Sequence, residues 1–171
     1  MSQSVFLMEE ENKTKDELKQ ELDSLEIQLF RMQDNIKKIA RQAEIVSIDQ
    51  TRHDEWVVIY ADKTSENFQL MLHSSVKPFR GDWNSAIQAE FKDQNLHIAD
   101  IKGEENKGYG SILMKHLKEA AREENIQYIT GDIVKRDFDH VERLKHFYSK
   151  HDFDVKIDHH NQQGEIVWND G

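Results

Sequence analysis

Apolar residues in the first quarter of the chain recur at alternating spacings of four and three: Leu18, Leu22, Leu25, Leu29, Met32, Ile36, Ile39 and Ala43. This is a heptad seam, and it predicts a coiled-coil helix over 14–43 through which the chain forms a homo-oligomer by residues 18–43. With Leu22, Leu29, Ile36 and Ala43 at position a, Leu18, Leu25, Met32 and Ile39 fall at d. Ile27 and Phe30 lie outside the seam, so an amphipathic helix packed on its own domain is the competing reading. A parallel pair would bring Glu21 near the partner's Glu26, and those charges repel. Residues 1–13 are expected to be disordered.

Beyond the helix the pattern is mainly that of strands. Ile45 to Ile48 predicts a short strand; Trp56 to Ala61 and Phe68 to His73 predict a hairpin, and Ala86 to Phe91 and Leu96 to Ile101 another. The long connection between these hairpins, Ser74 to Ser85, holds the sole proline, Pro78, and the aromatics Phe79 and Trp83, which are expected to be exposed. Ile112, Leu113, His116, Leu117, Ala120 and Ala121 then recur at helical spacing against a charged outer face. Ile126 to Ile133 reads as a strand. Asp139 and Glu142 resemble a capping box opening a second helix that buries Val141, Leu144, Phe147 and Tyr148. Val155, Ile157 and Ile166 to Trp168 suggest a closing hairpin.

The candidate chemistry lies between strand and helix, in Asn106-Lys107-Gly108-Tyr109-Gly110-Ser111. Two glycines let successive N–H groups converge on an anion at the positive end of the following helix. Some forty residues on comes Tyr148-Ser149-Lys150-His151-Asp152-Phe153.

With helix, strand and helix between them, these two segments resemble the GNAT superfamily of N-acyltransferases over about residues 95–169. Gly108-x-Gly110 is similar to the second half of the family's Arg/Gln-x-x-Gly-x-Gly/Ala pyrophosphate loop, and Tyr148-x-Lys150-x-Asp152-Phe153 to its Tyr-x-Lys-x-Gly-Phe segment. The resemblance implies an α/β (α+β) fold for residues 44–171, a mixed, mostly antiparallel sheet flanked by helices, preceded here by the long helix. It implies acetyl transfer from acetyl-CoA, as cosubstrate, to the primary amine of a small molecule or peptide. Ile101, Lys102, Asn106, Lys107, Gly108, Tyr109, Gly110 and Ser111 would hold the coenzyme, with a backbone N–H at the end of Ile101's strand polarising the carbonyl. Tyr148 would be the acid for the leaving thiolate, although by pattern alone a tyrosine on a buried helix face belongs to the core. Glu90, His97, Asp100 and Asp132 are candidates for the general base, and none stands out; Glu90 and Asp132 are carried forward as catalytic candidates.

Two departures are plain. Glu105 stands where the family has Arg or Gln, so it and Glu104 place two carboxylates near the pyrophosphate. No helical pair separates the first two strands of the domain to roof the acceptor side. A non-catalytic coiled-coil module on a degenerate GNAT fold is therefore the alternative.

Composition changes the picture little. The 171 residues include no cysteine, which excludes a protein thioester and Cys-based zinc sites. A net charge of −10 argues against nucleic acid and suits a cationic acceptor. Without an apolar run of spanning length, no membrane partner and a cytoplasmic location are expected. The spacing of the C-terminal histidines favours no metal site.

Overall fold

The computed structural model describes residues 13–171. Apart from Lys13, the expected disordered N-terminus lies outside them. Helix α1 spans Lys15–Ala40 and opens with a capping box in which Thr14 and Glu17 exchange hydrogen bonds. Strands β1 (Glu44–Gln50), β2 (Trp56–Lys63), β3 (Asn67–Ser74), β4 (Ser85–Lys92) and β5 (Asn95–Gly103) follow in an antiparallel meander. Helix α2 (Tyr109–Glu123) crosses to β6 (Tyr128–Ile133), which lies parallel to β5. A 3-10 turn, Lys135–His140, leads into α3 (Val141–Lys150) and the hairpin β7 (Asp154–Asp158) and β8 (Gln163–Asn169). The sheet runs β1-β2-β3-β4-β5-β6-β8-β7.

Alternation along the strands divides the apolar residues between two faces. Val57, Ile59, Leu70, Leu72, Ile87 and Ile98 join Leu113, Leu117, Val141 and Tyr148 in the main core beneath α2 and α3. On the other face Val58, Tyr60, Met71 and Ala86 meet Ile39, with Met32 and Ile36 packed against them. Thus the second half of the heptad seam, expected to face another copy, packs within the chain. The anchor is polar. Asn35, fully buried, donates to the carbonyl of Lys77 at 3.0 Å and accepts from the N–H of Phe79 at 2.8 Å, fastening α1 to the 75–84 connection. Phe79 is therefore buried, not exposed, and meets Tyr60 edge-on at 5.9 Å.

A second correction concerns α3. Asp139 caps nothing there, since the N-cap is His140 without a side-chain bond, and Asp137 instead accepts from the N–H of Val134 at the start of the 3-10 turn. Among the described residues no helix is long and apolar enough to cross a membrane.

The packing of α1 is testable. Ile39→Ala removes a fully buried side chain and is expected to cost about 2–5 kcal/mol in urea unfolding, whereas Leu25→Ala, at a position 57% exposed, should leave the monomer's stability within about 0.5 kcal/mol.

Candidate active site

The sheet is deliberately open at one place. β5 and β6 pair only at Leu96 with Ile129, His97 with Thr130 and Ile98 with Gly131. Beyond that point β5 stays with β4 as far as Gly103 opposite Ser85, while β6 stays with β8 as far as Ile133 opposite Gly164. The fork begins at a bulge: Ala89 faces Ile98 and Gln88 faces Asp100, leaving Ala99 as the extra residue. A bulge bends its strand and raises the local twist, which swings the end of β5 away from β6.

The arm of β5 leads into the glycine turn. Gly108, at φ 81, is the N-cap of α2, so the helix begins with no capping side chain and no acidic residue in its first turn. A Cβ at Gly108 would meet nothing within 4 Å, and Gly108 to Ser111, at the helix start where N–H groups lack intrahelical partners, border open space. That space is a cavity of about 340 Å³ walled by residues 101–106, the start of α2 and one side of α3. Arg52, Arg143, His146 and Lys150 line it, and they are the residues that sequence reasoning missed. Three of them carried a signal: 143, 146 and 150 share a helix face. Arg52, from the β1–β2 turn, had none.

Of the two carboxylates expected to conflict at the loop, the wall offsets one, Glu105, with a cation, and Glu104 meets only a neutral amide. The Glu105 carboxylate accepts from Arg143 Nη1 at 2.8 Å, and that of Glu104 accepts from Asn84 Nδ2 at 3.0 Å. Of the expected coenzyme residues, Ile101, Lys102, Asn106, Gly108, Tyr109, Gly110 and Ser111 border the cavity; Lys107 is exposed outside its lining. Tyr109 turns its side chain inward. Its hydroxyl donates to Glu55 Oε1 at 2.6 Å, so only its backbone is free for the cavity; burial, then the bond to Glu55, pushes this phenol up. Lys102 Nζ lies 3.2 Å from Asp100.

α3 is pressed onto the start of α2, where a Cβ at Gly110 would come within 3.2 Å of the Phe147 ring. Ser111 Oγ and His151 Nε2 are 3.0 Å apart. Burial, reinforced by Lys118 and Lys150, holds the His151 imidazole down at about 4. It is neutral in the fold and protonates near 6.5 when unfolded, so the unfolded chain binds more protons between these values. Stability is therefore expected to fall as pH drops from about 6.5 towards 4. Urea melts across that range check this, with His151→Gln flattening the slope.

Tyr148 is buried, its ring 5.4 Å from that of Phe147 and 5.3 Å from that of Phe153. Burial first, then the charges of Asp137 and Asp100, pushes the phenol up, so it holds its proton at neutral pH. On the sheet face away from α2, the structure brings together three of the four candidate bases. His97 Nδ1 is 2.9 Å from Thr130 Oγ1 and its Nε2 is 3.4 Å from Asp132 Oδ2, while Glu90 is its cross-strand neighbour on β4. Asp100 stands apart from that row, past the bulge. Among the described residues no helical pair separates the first strands: β1 and β2 are joined by residues 51–55 and β2 and β3 by residues 64–66.

No family model matches the sequence. The uncharacterized protein YocC of Bacillus subtilis (strain 168) is 45% identical over 166 residues, covering 97% of this chain and 99% of that protein. Among solved structures, the GNAT domain of S. lividans PAT superposes with a TM-score of 0.54 at 9% identity, over 76% of this chain and 98% of that one. A cAMP-binding acyltransferase from Mycobacterium smegmatis gives 0.53 at 11% identity, over 80% of this chain and 51% of that one. At such identities the likeness is one of fold.

Proposed function

Since the chain belongs to the same family as Bacillus subtilis YocC and has the GNAT fold, we propose that it is an N-acetyltransferase using acetyl-CoA and a primary amine. One observation carries the reading: the fork between β5 and β6 runs from an uncapped, cation-lined helix N-terminus to a row of proton-transfer groups. When bound, acetyl-CoA supplies a thioester-activated acyl group. The first N–H groups of α2, with Arg52 and Lys150, are suited to the pyrophosphate, because the positive end of the helix dipole and these cations meet there, while Arg143 offsets the carboxylate of Glu105. Ile101, on the arm of β5 that has left β6, is assigned the backbone N–H that polarises the carbonyl.

Two protons must move. The attacking amine loses one, and His97 is the group we assign to take it, with Thr130 at one ring nitrogen and Asp132 at the other to fix the orientation of the ring. Glu90 and Asp132 then act through His97 and draw to this face a cationic amine, which gives its first proton to solvent before the neutral amine attacks. Tyr148 gives a proton to the departing thiolate from the core side of the fork.

Calorimetric titration with acetyl-CoA, followed by thiol release across a panel of primary amines, tests the proposal. Absence of coenzyme binding at millimolar concentration overturns it. Binding without release on any amine would favour the non-catalytic module instead.

A further inference from the structure

The face of α1 that packs on the sheet does not end where the sheet does. Residues 14–30 are exposed throughout, whereas Met32, Asn35, Ile36 and Ile39, further along the helix, are drawn into the fold. The stretch from Lys15 to Phe30 thus projects roughly 24 Å at about 1.5 Å per residue. Leu18, Leu22, Leu25 and Leu29 lie along it, 41%, 57%, 57% and 49% exposed. A leucine row of this length in water marks surface that another protein covers.

We infer that two copies of the chain pair through this stretch with their helices antiparallel. Sterics set the orientation. The seam runs on directly into residues held by the chain's own sheet, so a helix laid along it has room only as far as Arg31. In a parallel pair both sheets would arrive at that same point and collide. In an antiparallel pair with Leu22 opposite the partner's Leu25, Leu18 faces the partner's Leu29, and Met32 faces the partner's Lys15, at the first turn of the partner helix. Each body then occupies one end, and the contact is self-complementary, as a two-fold interface requires.

Charge agrees with sterics. With Leu22 at position a, Lys19 and Glu26 are both at e, and antiparallel seams bring e beside e. Lys19 therefore lies by the partner's Glu26, and the pair occurs twice by symmetry. Among the described residues neither has an ion-pair partner in its own chain, while Glu21, which a parallel pair would set against the partner's Glu26, is held by Lys13 at 2.7 Å.

Sedimentation of the full chain at micromolar concentration is expected to show a dimer. Leu22→Asp with Leu25→Asp should make it monomeric while leaving the melting of the body and its circular dichroism unchanged, because both sites are exposed. Glu26→Lys should weaken the dimer roughly fivefold or more and Lys19→Glu with Glu26→Lys should restore it; in a parallel pair Glu26→Lys would meet Glu21 and tighten binding. The chain has no cysteine, so introduced thiols report orientation directly. Oxidation of mixed Leu22→Cys and Leu25→Cys chains should give the mixed disulfide, and Leu22→Cys alone none with itself. A monomeric full-length chain, tightening by Glu26→Lys, or self-linkage of Leu22→Cys overturns the proposal.

Discussion

Gly108→Asp is expected to lower affinity for acetyl-CoA by about 100-fold, equivalent to ~2.7 kcal/mol, while leaving the fold intact. The position is left-handed at φ 81, a conformation Asp tolerates better than most residues, and a Cβ there meets nothing within 4 Å. An acid beside the first turn of a helix, if anything, stabilises it. The same carboxylate would stand in the space the pyrophosphate needs, next to the N–H groups of α2, and repel it. Calorimetry alongside a thermal melt separates these effects. Retained affinity in a folded variant would move the coenzyme site elsewhere, and a collapsed melting temperature would mean that Gly108 is needed for the turn itself.

Tyr148→Phe is expected to reduce turnover by about 10² or more, with coenzyme affinity and stability nearly unchanged. The ring packs between Phe147 and Phe153, and phenylalanine keeps both contacts. What disappears is one hydroxyl, which burial keeps protonated. Pre-steady-state measurement of thiol release on an identified amine reads the chemical step. Near-full turnover in that step would leave Tyr148 as core packing alone. The proton acceptor can be followed in the same assay, since His97→Gln should lower kcat/KM by about 10² or more if the imidazole is the base.

Much of the fold was legible because local patterns and tertiary structure agree. Strand alternation over 56–61, 68–73, 86–91 and 96–101 matches β2 to β5, since each of those strands carries a regular set of residues into the core beneath α2. Helix α2 likewise follows from residues 112–121. At the candidate site the glycine turn was visible for a physical reason: Gly108 takes a left-handed conformation that glycine adopts most readily, and Gly110 leaves room for the Phe147 ring, so composition records the turn directly. The lining cations were harder to find. Arg52, Arg143, His146 and Lys150 come from a turn and a helix distant in sequence, and surface charges satisfy no local rule that would single them out.

By itself the sequence determined the order and period of the elements, the glycine turn with its helix, and the heptad stripe, because each depends on neighbours within a turn or two of chain. Only the tertiary structure decided how that stripe is divided. Asn35 finds the backbone of Lys77 and Phe79 more than forty residues away, and these bonds take the stripe's second half into the fold while the first half is left in water. It also decided the fork, since one extra residue, Ala99, becomes a bulge only when β4 is beside it. And it decided the electrostatics of the cavity: Glu105 is an adverse charge in sequence, but its pairing with Arg143 across α3 makes it part of a cation-lined wall, since Coulomb energy depends on distance in space and not along the chain.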